Sequence, residues 1–97
     1  MLKYHHVPEA VLKARRIDWG LLVDAFLFDA APFGDRFIAT VFSDFSGRIN
    51  DGETVFTPPL RRLEKREGFV LAQSITGRDH YVIVTDCNGL SASLTEC

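Results

Sequence analysis

The chain has 97 residues, enough for one domain and too few for two separate cores. Its hydrophobic share of 46% and charged share of 25% are typical of a folded globular protein and exclude a disordered chain. The formal net charge of -2 argues against a protein that binds nucleic acid through bulk charge. We therefore predict a single domain over residues 1–97.

A short helix is predicted over residues 7–17. Pro8 suits a first helical turn, where its missing amide hydrogen costs nothing, and Glu9 beside it favours the positive end of the helix dipole. Basic residues come late in the segment, where they favour the negative end.

Two structures compete for residues 17–29. In a helix, one apolar face would hold Trp19, Leu22, Val23 and Phe26. In a strand, the same apolar residues would alternate between two faces. Gly20 weakens a helix, and the aromatic and β-branched content favours a strand. The strand is preferred, and a β-rich core is predicted over residues 20–86.

A turn and a strand follow. Pro32 and Gly34 indicate a turn over residues 30–35. Residues 36–45 then carry apolar side chains on both faces, a pattern typical of a strand that a helix or a closing sheet buries on two sides.

The pair Asp51-Gly52 is the strongest local signal in the sequence. A two-residue loop needs positive φ, which Gly adopts freely and Asp tolerates. Because β-favouring residues flank the pair, it predicts a hairpin or a tight corner. Pro58 and Pro59 then end the strand, since neither can donate to a ladder.

The last part of the core is predicted to be a second hairpin. Residues 60–67 form a charged connector, either one helical turn or an extended edge. Residues 68–76 alternate with period two and pair with residues 80–86. Gly77-Arg78 suits a type II′ turn, and a three-residue loop is equally compatible.

These elements predict an α+β domain with one N-terminal helix and a curved, mostly antiparallel sheet of about five strands; an open sheet and a partly closed small barrel both fit. Residues 87–97 are polar and are expected to form a loosely held tail. The longest apolar run, residues 19–28, is broken by Asp24 and is too short to span a bilayer. We expect a cytoplasmic protein.

The segment 46–57 resembles a pattern in short, uncharacterised bacteriophage and prophage accessory proteins. It combines Gly47-Arg48, the turn Asp51-Gly52 and a strand ending in Thr57, and a terminal hairpin follows. The double proline after Thr57 departs from that pattern. The resemblance implies a small accessory protein of a phage or mobile element that acts in the host cytoplasm, for example as an inhibitor of a host defence system. It implies no chemistry for any residue.

Metal binding is not favoured. Structural zinc ligands usually lie two to four residues apart, and adjacent histidines on a strand point to opposite sides. We expect no metal and no cofactor. The residues considered are His5, His6, His80, Cys87 and Cys97.

Catalysis is not favoured either. The sequence has no nucleophile elbow and no phosphate-binding glycine loop. Asp24 and Asp44 could act as an acid/base pair across paired strands, but nothing in the sequence sets their distance. We expect that the protein is not an enzyme; a small-ligand binder or minor enzyme is the third choice.

Nucleic-acid binding is the alternative function. It would use the basic connector, with Tyr81 or Phe56 as stacking partners. Glu64 and Glu67 interleave with the bases and reduce the local field. The basic residues are Arg61, Arg62, Lys65 and Arg66.

Stoichiometric protein binding is the preferred function. The chain has eight Phe, two Tyr and one Trp, and its sheet must have an edge strand that can pair with a host protein or with a second copy in a homodimer. Arginine and tyrosine are enriched at binding hot spots. The candidate residues are Arg48, Arg62, Arg78 and Tyr81.

Overall fold

The computed structural model describes residues 7–86. It contains one helix, and no helix among these residues is long and apolar enough to cross a membrane. The elements in chain order are α1 (Glu9–Arg15), β1 (Ala25–Phe33), β2 (Arg36–Phe42), β3 (Thr54–Phe56), β4 (Leu60–Arg66), β5 (Phe69–Ser74) and β6 (His80–Ile83). The α+β class is confirmed. The predicted tail, residues 87–97, lies outside the described residues.

Helix α1 forms within the predicted segment. Pro8 precedes its first turn in an extended conformation, and the Pro8 carbonyl accepts the amide hydrogens of Val11 and Leu12. Val11 and Ala14 are fully buried against the sheet. Beyond the helix, the Trp19 indole Nε1 donates to the Ala14 carbonyl oxygen at 3.1 Å. The buried ring of Trp19 therefore fixes the loop after the helix onto it.

The sheet has six strands in the order β3-β2-β1-β6-β5-β4. It is mixed, because β1 pairs with β6 in parallel while the other neighbours are antiparallel. The prediction of about five strands is wrong because the charged connector is itself a strand, β4. The partly closed barrel is also wrong: β3 and β4 are separate edges of an open sheet.

Strand β1 differs from its prediction at both ends. It begins at Ala25, so the strand preferred for residues 17–29 forms only in its last part. It then runs through Pro32 and pairs with β2 as far as Phe33, so the turn predicted over residues 30–35 is reduced to residues 34–35. Pro32 is tolerated in this ladder because its partner on β2, Phe37, directs its backbone groups to Thr57 on the other side, so β2 requires no amide hydrogen from residue 32.

Strand β2 ends at Phe42, before the predicted residue 45. Asp44 stops it by folding the next residues back on themselves. One oxygen of its carboxylate, Oδ2, accepts the Ser46 hydroxyl at 2.6 Å and the amide hydrogens of Arg48 and Ile49 at 3.1 and 3.3 Å. An aspartate that captures local donors in this way competes with strand pairing.

Asp51-Gly52 forms a tight corner, one of its two predicted forms. Gly52 has a φ of 93°, and its amide donates to the Val41 carbonyl oxygen at 2.8 Å. The corner returns the chain to β2, and β3 then pairs with β2. The strand ends before Pro58 and Pro59, as predicted.

The two C-terminal hairpins differ in their turns. β4 and β5 are joined by Glu67-Gly68 alone, both with positive φ (53° and 87°), as a type I′ turn requires. Between β5 and β6 the loop holds residues 75–79, so the predicted two- or three-residue turn is wrong. Ser74 stabilises this longer loop, because its hydroxyl accepts the Asp79 amide hydrogen at 3.1 Å.

Apolar side chains cover both faces of the sheet. On the helix face, α1 and Trp19 pack against Phe26, Phe42 and other strand residues. The second cluster lies on the opposite face, which we call the inner face. Val55 of β3 and Leu60 of β4 both pack into this cluster although they lie on opposite edges, so the sheet curves around it.

Candidate functional site

Strand β3 presents, at one edge of the sheet, backbone groups that have no partner strand among residues 7–86. The Val41 amide donates to the Glu53 carbonyl and the Thr57 amide donates to the Phe37 carbonyl, each at 2.8 Å. Residues 53 and 57 therefore face β2, and so does Val55 between them, because backbone direction alternates along a strand. Thr54 and Phe56 point their N–H and C=O groups away from the sheet.

Exposed apolar side chains lie beside these backbone groups. Phe33 and Phe56 are 64% and 49% exposed, and their ring centroids are 5.8 Å apart. The Arg36 guanidinium stacks over the Phe56 ring at 4.9 Å from its centroid. Ile38 pairs directly with Phe56 and is 44% exposed. We call Phe33, Arg36, Ile38 and Phe56 the edge patch; it lies on the helix face beyond the part that α1 covers.

Strand β4, the other edge, is protected. It carries exposed charges along its length and a β-bulge between Arg62 and Glu64. The Leu60 amide, at its start, donates to the Asp35 carbonyl oxygen at 2.8 Å. Charges and bulges on an edge strand are the features that prevent pairing with another chain.

Two of the four basic residues predicted for nucleic-acid binding have partners within the fold. Arg61 donates to the Gln73 side-chain oxygen through Nε and Nη2. Arg66 forms an ion pair with Glu64, donates to the Asp18 carbonyl oxygen at 2.7 Å and stacks on the Trp19 ring. Arg62 and Lys65 are exposed. The proposed stacking partner Phe56 lies on the opposite edge strand.

A cavity of about 350 Å³ lies on the inner face behind β3. We call it the Tyr81 cavity. Three carboxylates and the Tyr81 phenol converge on it, and the rest of its wall is mainly apolar. The lining residues are Asp24, Ala25, Val41, Asp44, Ser46, Ile49, Val55, Phe56, Thr57, Pro58, Asp79 and Tyr81.

The carboxylates influence the phenol. Burial first, and then the negative charges of Asp79, Asp24 and Asp44, raise the pKa of Tyr81 to about 12. The hydroxyl of Ser46 and the loop amides hold the pKa of Asp44 below its usual range, with burial opposing them. Asp44 is thus a carboxylate at neutral pH, and the cavity carries negative charge.

The structure places Asp24 and Asp44 in the same cavity, just beyond the end of the β1–β2 pair: Phe26 pairs with Phe42, and the same register sets Asp24 opposite Asp44. Asp24 Oδ2 accepts the His80 amide hydrogen at 2.8 Å, and the Asp24 carbonyl oxygen accepts the Phe45 amide at 2.7 Å. Both carboxylates therefore have structural partners. Acid/base chemistry of this pair remains a prediction.

The four residues predicted for protein binding lie around the same cavity or on the same face. Tyr81 lines it, and Arg62 shares a register row with Ala72 and Tyr81 across β4, β5 and β6. Arg48 and Arg78 are exposed. They lie on two loops that border the cavity, because their neighbours Ile49 and Asp79 line it.

Sequence reasoning did not identify the edge patch or Asp79. A usable signal exists for the patch: residues 54–59 form an uncharged stretch between Glu53 and Leu60 that contains Phe56, whereas residues 61–66 hold five charges. No signal identifies Asp79, because the loop length that sets its position was predicted wrongly.

Within residues 7–86, no three His, Cys, Asp or Glu side chains lie close enough to hold a metal ion. His80 contacts the Gln73 side-chain nitrogen through its Nε2 at 3.2 Å. The other four residues considered as ligands lie outside the described residues.

Comparisons with known proteins identify no relative. No family model matches the chain, and neither curated proteins nor solved structures give a significant match. The resemblance to prophage accessory proteins therefore stays a prediction.

Proposed function

We propose that this protein acts by stoichiometric binding, and that β3 accepts an extended strand of a partner protein. The observation that supports this most directly is the open edge: Thr54 and Phe56 turn their backbone groups outward beside exposed, uncharged aromatic side chains. Strand addition gives affinity through main-chain hydrogen bonds and specificity through alternate side chains.

The edge patch supplies the apolar part of this interface. Phe56 and Phe33 are already in contact, so their rings lose little freedom when a partner covers them. The Arg36 guanidinium lies over the Phe56 ring. The pair presents a flat, preformed surface of arginine and aromatic groups, the residue types enriched at hot spots.

The partner that we propose is a protein of the host cytoplasm. The resemblance to phage and prophage accessory proteins makes a component of a host defence system the first class to test. Self-pairing through the same edge is the alternative partner, and light scattering would reveal it as a dimer mass.

The test compares three tagged baits in nuclease-treated bacterial lysate: the wild type, Phe56→Lys and Leu63→Lys. Phe56→Lys puts a charge on β3, and Leu63→Lys puts the same charge on β4 at a residue of similar exposure. We expect one protein that the wild type and Leu63→Lys retain in near-stoichiometric amount and Phe56→Lys loses. Equal retention by all three baits would contradict binding at β3.

Hydrogen exchange then shows where on this protein the partner binds. In the free protein the amides of Thr54 and Phe56 should exchange quickly and that of Val55 slowly, because only Val55 faces β2. In the complex the first two should become protected, while the Lys65 amide on β4 should not change. Protection at β4 alone would reject the proposal.

Nucleic-acid binding is kept as the alternative because Arg62 and Lys65 are exposed on β4. It predicts capture that disappears with nuclease and an affinity for single-stranded oligonucleotides that falls steeply with salt. Arg62→Glu combined with Lys65→Glu should abolish that affinity and leave strand binding at β3 intact.

A further inference from the structure

We propose that the strand accepted by β3 carries a lysine or arginine opposite Val55, and that this side chain enters the Tyr81 cavity. This inference rests on the proposed function and specifies the chemistry of its partner. It follows from the direction of side chains at the edge, from the walls of the cavity and from its charge.

The direction of the entering side chain is set by β3. Val55 packs into the inner-face cluster and lines the Tyr81 cavity. Side chains directly opposite each other on neighbouring strands point to the same face. The residue that pairs with Val55 therefore projects to the inner face, where the cavity lies immediately behind the edge.

The cavity suits a long side chain with a positive end. Ala25, Val41, Ile49 and Val55 provide apolar wall for a hydrocarbon stem. Asp24, Asp44 and Asp79 provide negative charge for the head group, and none of the lining residues is basic. Lysine and arginine place their stems along apolar surface and keep the charged end with polar partners.

The neighbouring positions of the partner strand face the other way. Residues opposite Thr54 and Phe56 project to the helix face, toward the edge patch, because side chains alternate along a strand. The cavity and the edge patch together therefore favour a partner strand with the sequence apolar–basic–apolar. A second copy of this chain does not fit: residues 50–58 contain Asp51 and Glu53 and no lysine or arginine.

The first experiment tests the cavity without the edge. The probe is n-butylammonium, with n-butanol as the uncharged control, and the readout is the NMR signals of the Tyr81 ring. We expect butylammonium to cause saturable shifts of these signals and butanol to cause none. The double variant Asp24→Asn, Asp79→Asn should reduce the butylammonium shifts at least fivefold. Both asparagines keep the side-chain size, and the carbonyl oxygen of the one at position 24 can still accept the His80 amide hydrogen. Equal shifts with both probes would overturn the cation site.

The second experiment joins the cavity to the edge. The probe is the capped peptide Ser-Thr-Val-Lys-Val-Thr-Ser, compared with versions that carry norleucine or glutamate at the centre. We expect all three to perturb the Thr54 and Phe56 amides, with the lysine peptide binding at least tenfold more tightly than the norleucine peptide. The asparagine double variant should reduce that preference below threefold.

The two proposals fail in different ways. If the peptides perturb the edge amides but lysine is not preferred, strand binding stands and the cation site is rejected. If butylammonium binds near Tyr81 but no peptide perturbs Thr54 and Phe56, edge pairing is rejected, and with it the proposed function and the entry of a partner's side chain from β3.

Discussion

The sheet has two edges, and they are built in opposite ways. β4 is seven residues long, bulged and charged, whereas β3 is three residues long, carries no charge and exposes Phe56. Only Thr57, Pro58 and Pro59 separate the two strands in sequence. A long unprotected edge strand promotes aggregation, and the long strand β4 is protected by its charges and bulge. The short strand β3 has no such protection. This difference is the reason why we propose that another chain pairs with β3 and not with β4.

The length of β3 limits the hazard of leaving it open. Pro58 and Pro59 follow it directly, and neither has an amide hydrogen with which to extend a ladder. A chain that pairs with β3 can use the outward groups of Thr54 and Phe56 and little more. Specific binding therefore needs side-chain contacts as well, which the edge patch and the Tyr81 cavity offer on the two faces.

The largest expected effect comes from making β3 resemble β4. Thr54→Lys combined with Phe56→Lys places two charges on the open edge and removes the central ring of the edge patch. We expect binding of the lysine peptide to weaken by about 30-fold or more, equal to about 2 kcal/mol, the size of a hot-spot loss. Fluorescence anisotropy with labelled peptide measures it.

The matched change on β4 is Leu63→Lys, which should leave peptide affinity within about twofold, because exposed substitutions away from a binding site have small effects. A comparable loss in both variants would mean that the two edges do not differ in function.

The difference between the edges could be predicted only in part from sequence. The extended form of residues 60–67 was one of two alternatives, and the double proline marked the end of β3. What could not be predicted is which strands become edges. That depends on the parallel pairing of β1 with β6, a contact between residues 56 positions apart, such as Ala25 and Tyr81, that no local pattern encodes.

The second expected effect concerns the structural role of β4. Arg66→Met removes the hydrogen bond to the Asp18 carbonyl and the charge over the Trp19 ring, but keeps an apolar stem of similar length. We expect the free energy of unfolding to fall by about 1–2 kcal/mol, from one charged hydrogen bond and one cation–π contact. Urea denaturation followed by Trp19 fluorescence measures the change.

Lys65→Met is the control, because this exposed neighbour should change stability by less than about 0.5 kcal/mol. Equal losses in the two variants would show that Arg66 is a solvated surface charge and that β4 is available for nucleic acid.

The third expected effect is a gain of stability at the turn that precedes β5. Glu67 has a φ of 53°, a left-handed conformation that disfavours most side chains and that asparagine tolerates. Glu67→Asn should raise the free energy of unfolding by about 0.5–1 kcal/mol. Glu67→Gln removes the same charge without this conformational preference and should change little; an equal gain there would assign the effect to charge. Neither variant should alter peptide binding at β3.

The candidate site was less predictable than the fold. Tyr81 was chosen for its residue type, and it does line the cavity. Asp24 and Asp44 were considered as partners across paired strands, and the β1–β2 register does set them opposite each other, just beyond the pair Phe26 and Phe42. The rest of the cavity depends on two loops: the one in which Asp44 captures Ser46, Arg48 and Ile49, and the five-residue loop before His80. Both rest on local hydrogen bonds that periodicity does not reveal.

The smallest expected effect tests the negative charge of the Tyr81 cavity, which lies behind β3. Burial is the first cause that raises the pKa of Tyr81 to about 12, and Asp79 is the second. Asp79→Asn should therefore lower this pKa while leaving it above the usual value of about 10. Tyrosinate absorbance in a Tyr4→Phe background measures it, with Asp35→Asn, a carboxylate outside the cavity, as the control.

The same pKa sets how stability depends on pH at the alkaline end. The folded protein holds the Tyr81 proton more tightly than the unfolded chain, so this contribution is fully present below pH of about 10 and is lost as pH rises toward about 12. Asp79→Asn should narrow that window from its upper end, and Tyr81→Phe should abolish it. If Asp79→Asn and Asp35→Asn titrate alike, the carboxylates do not act on the phenol. The space behind β3 would then lack the negative potential on which recognition of a basic side chain depends.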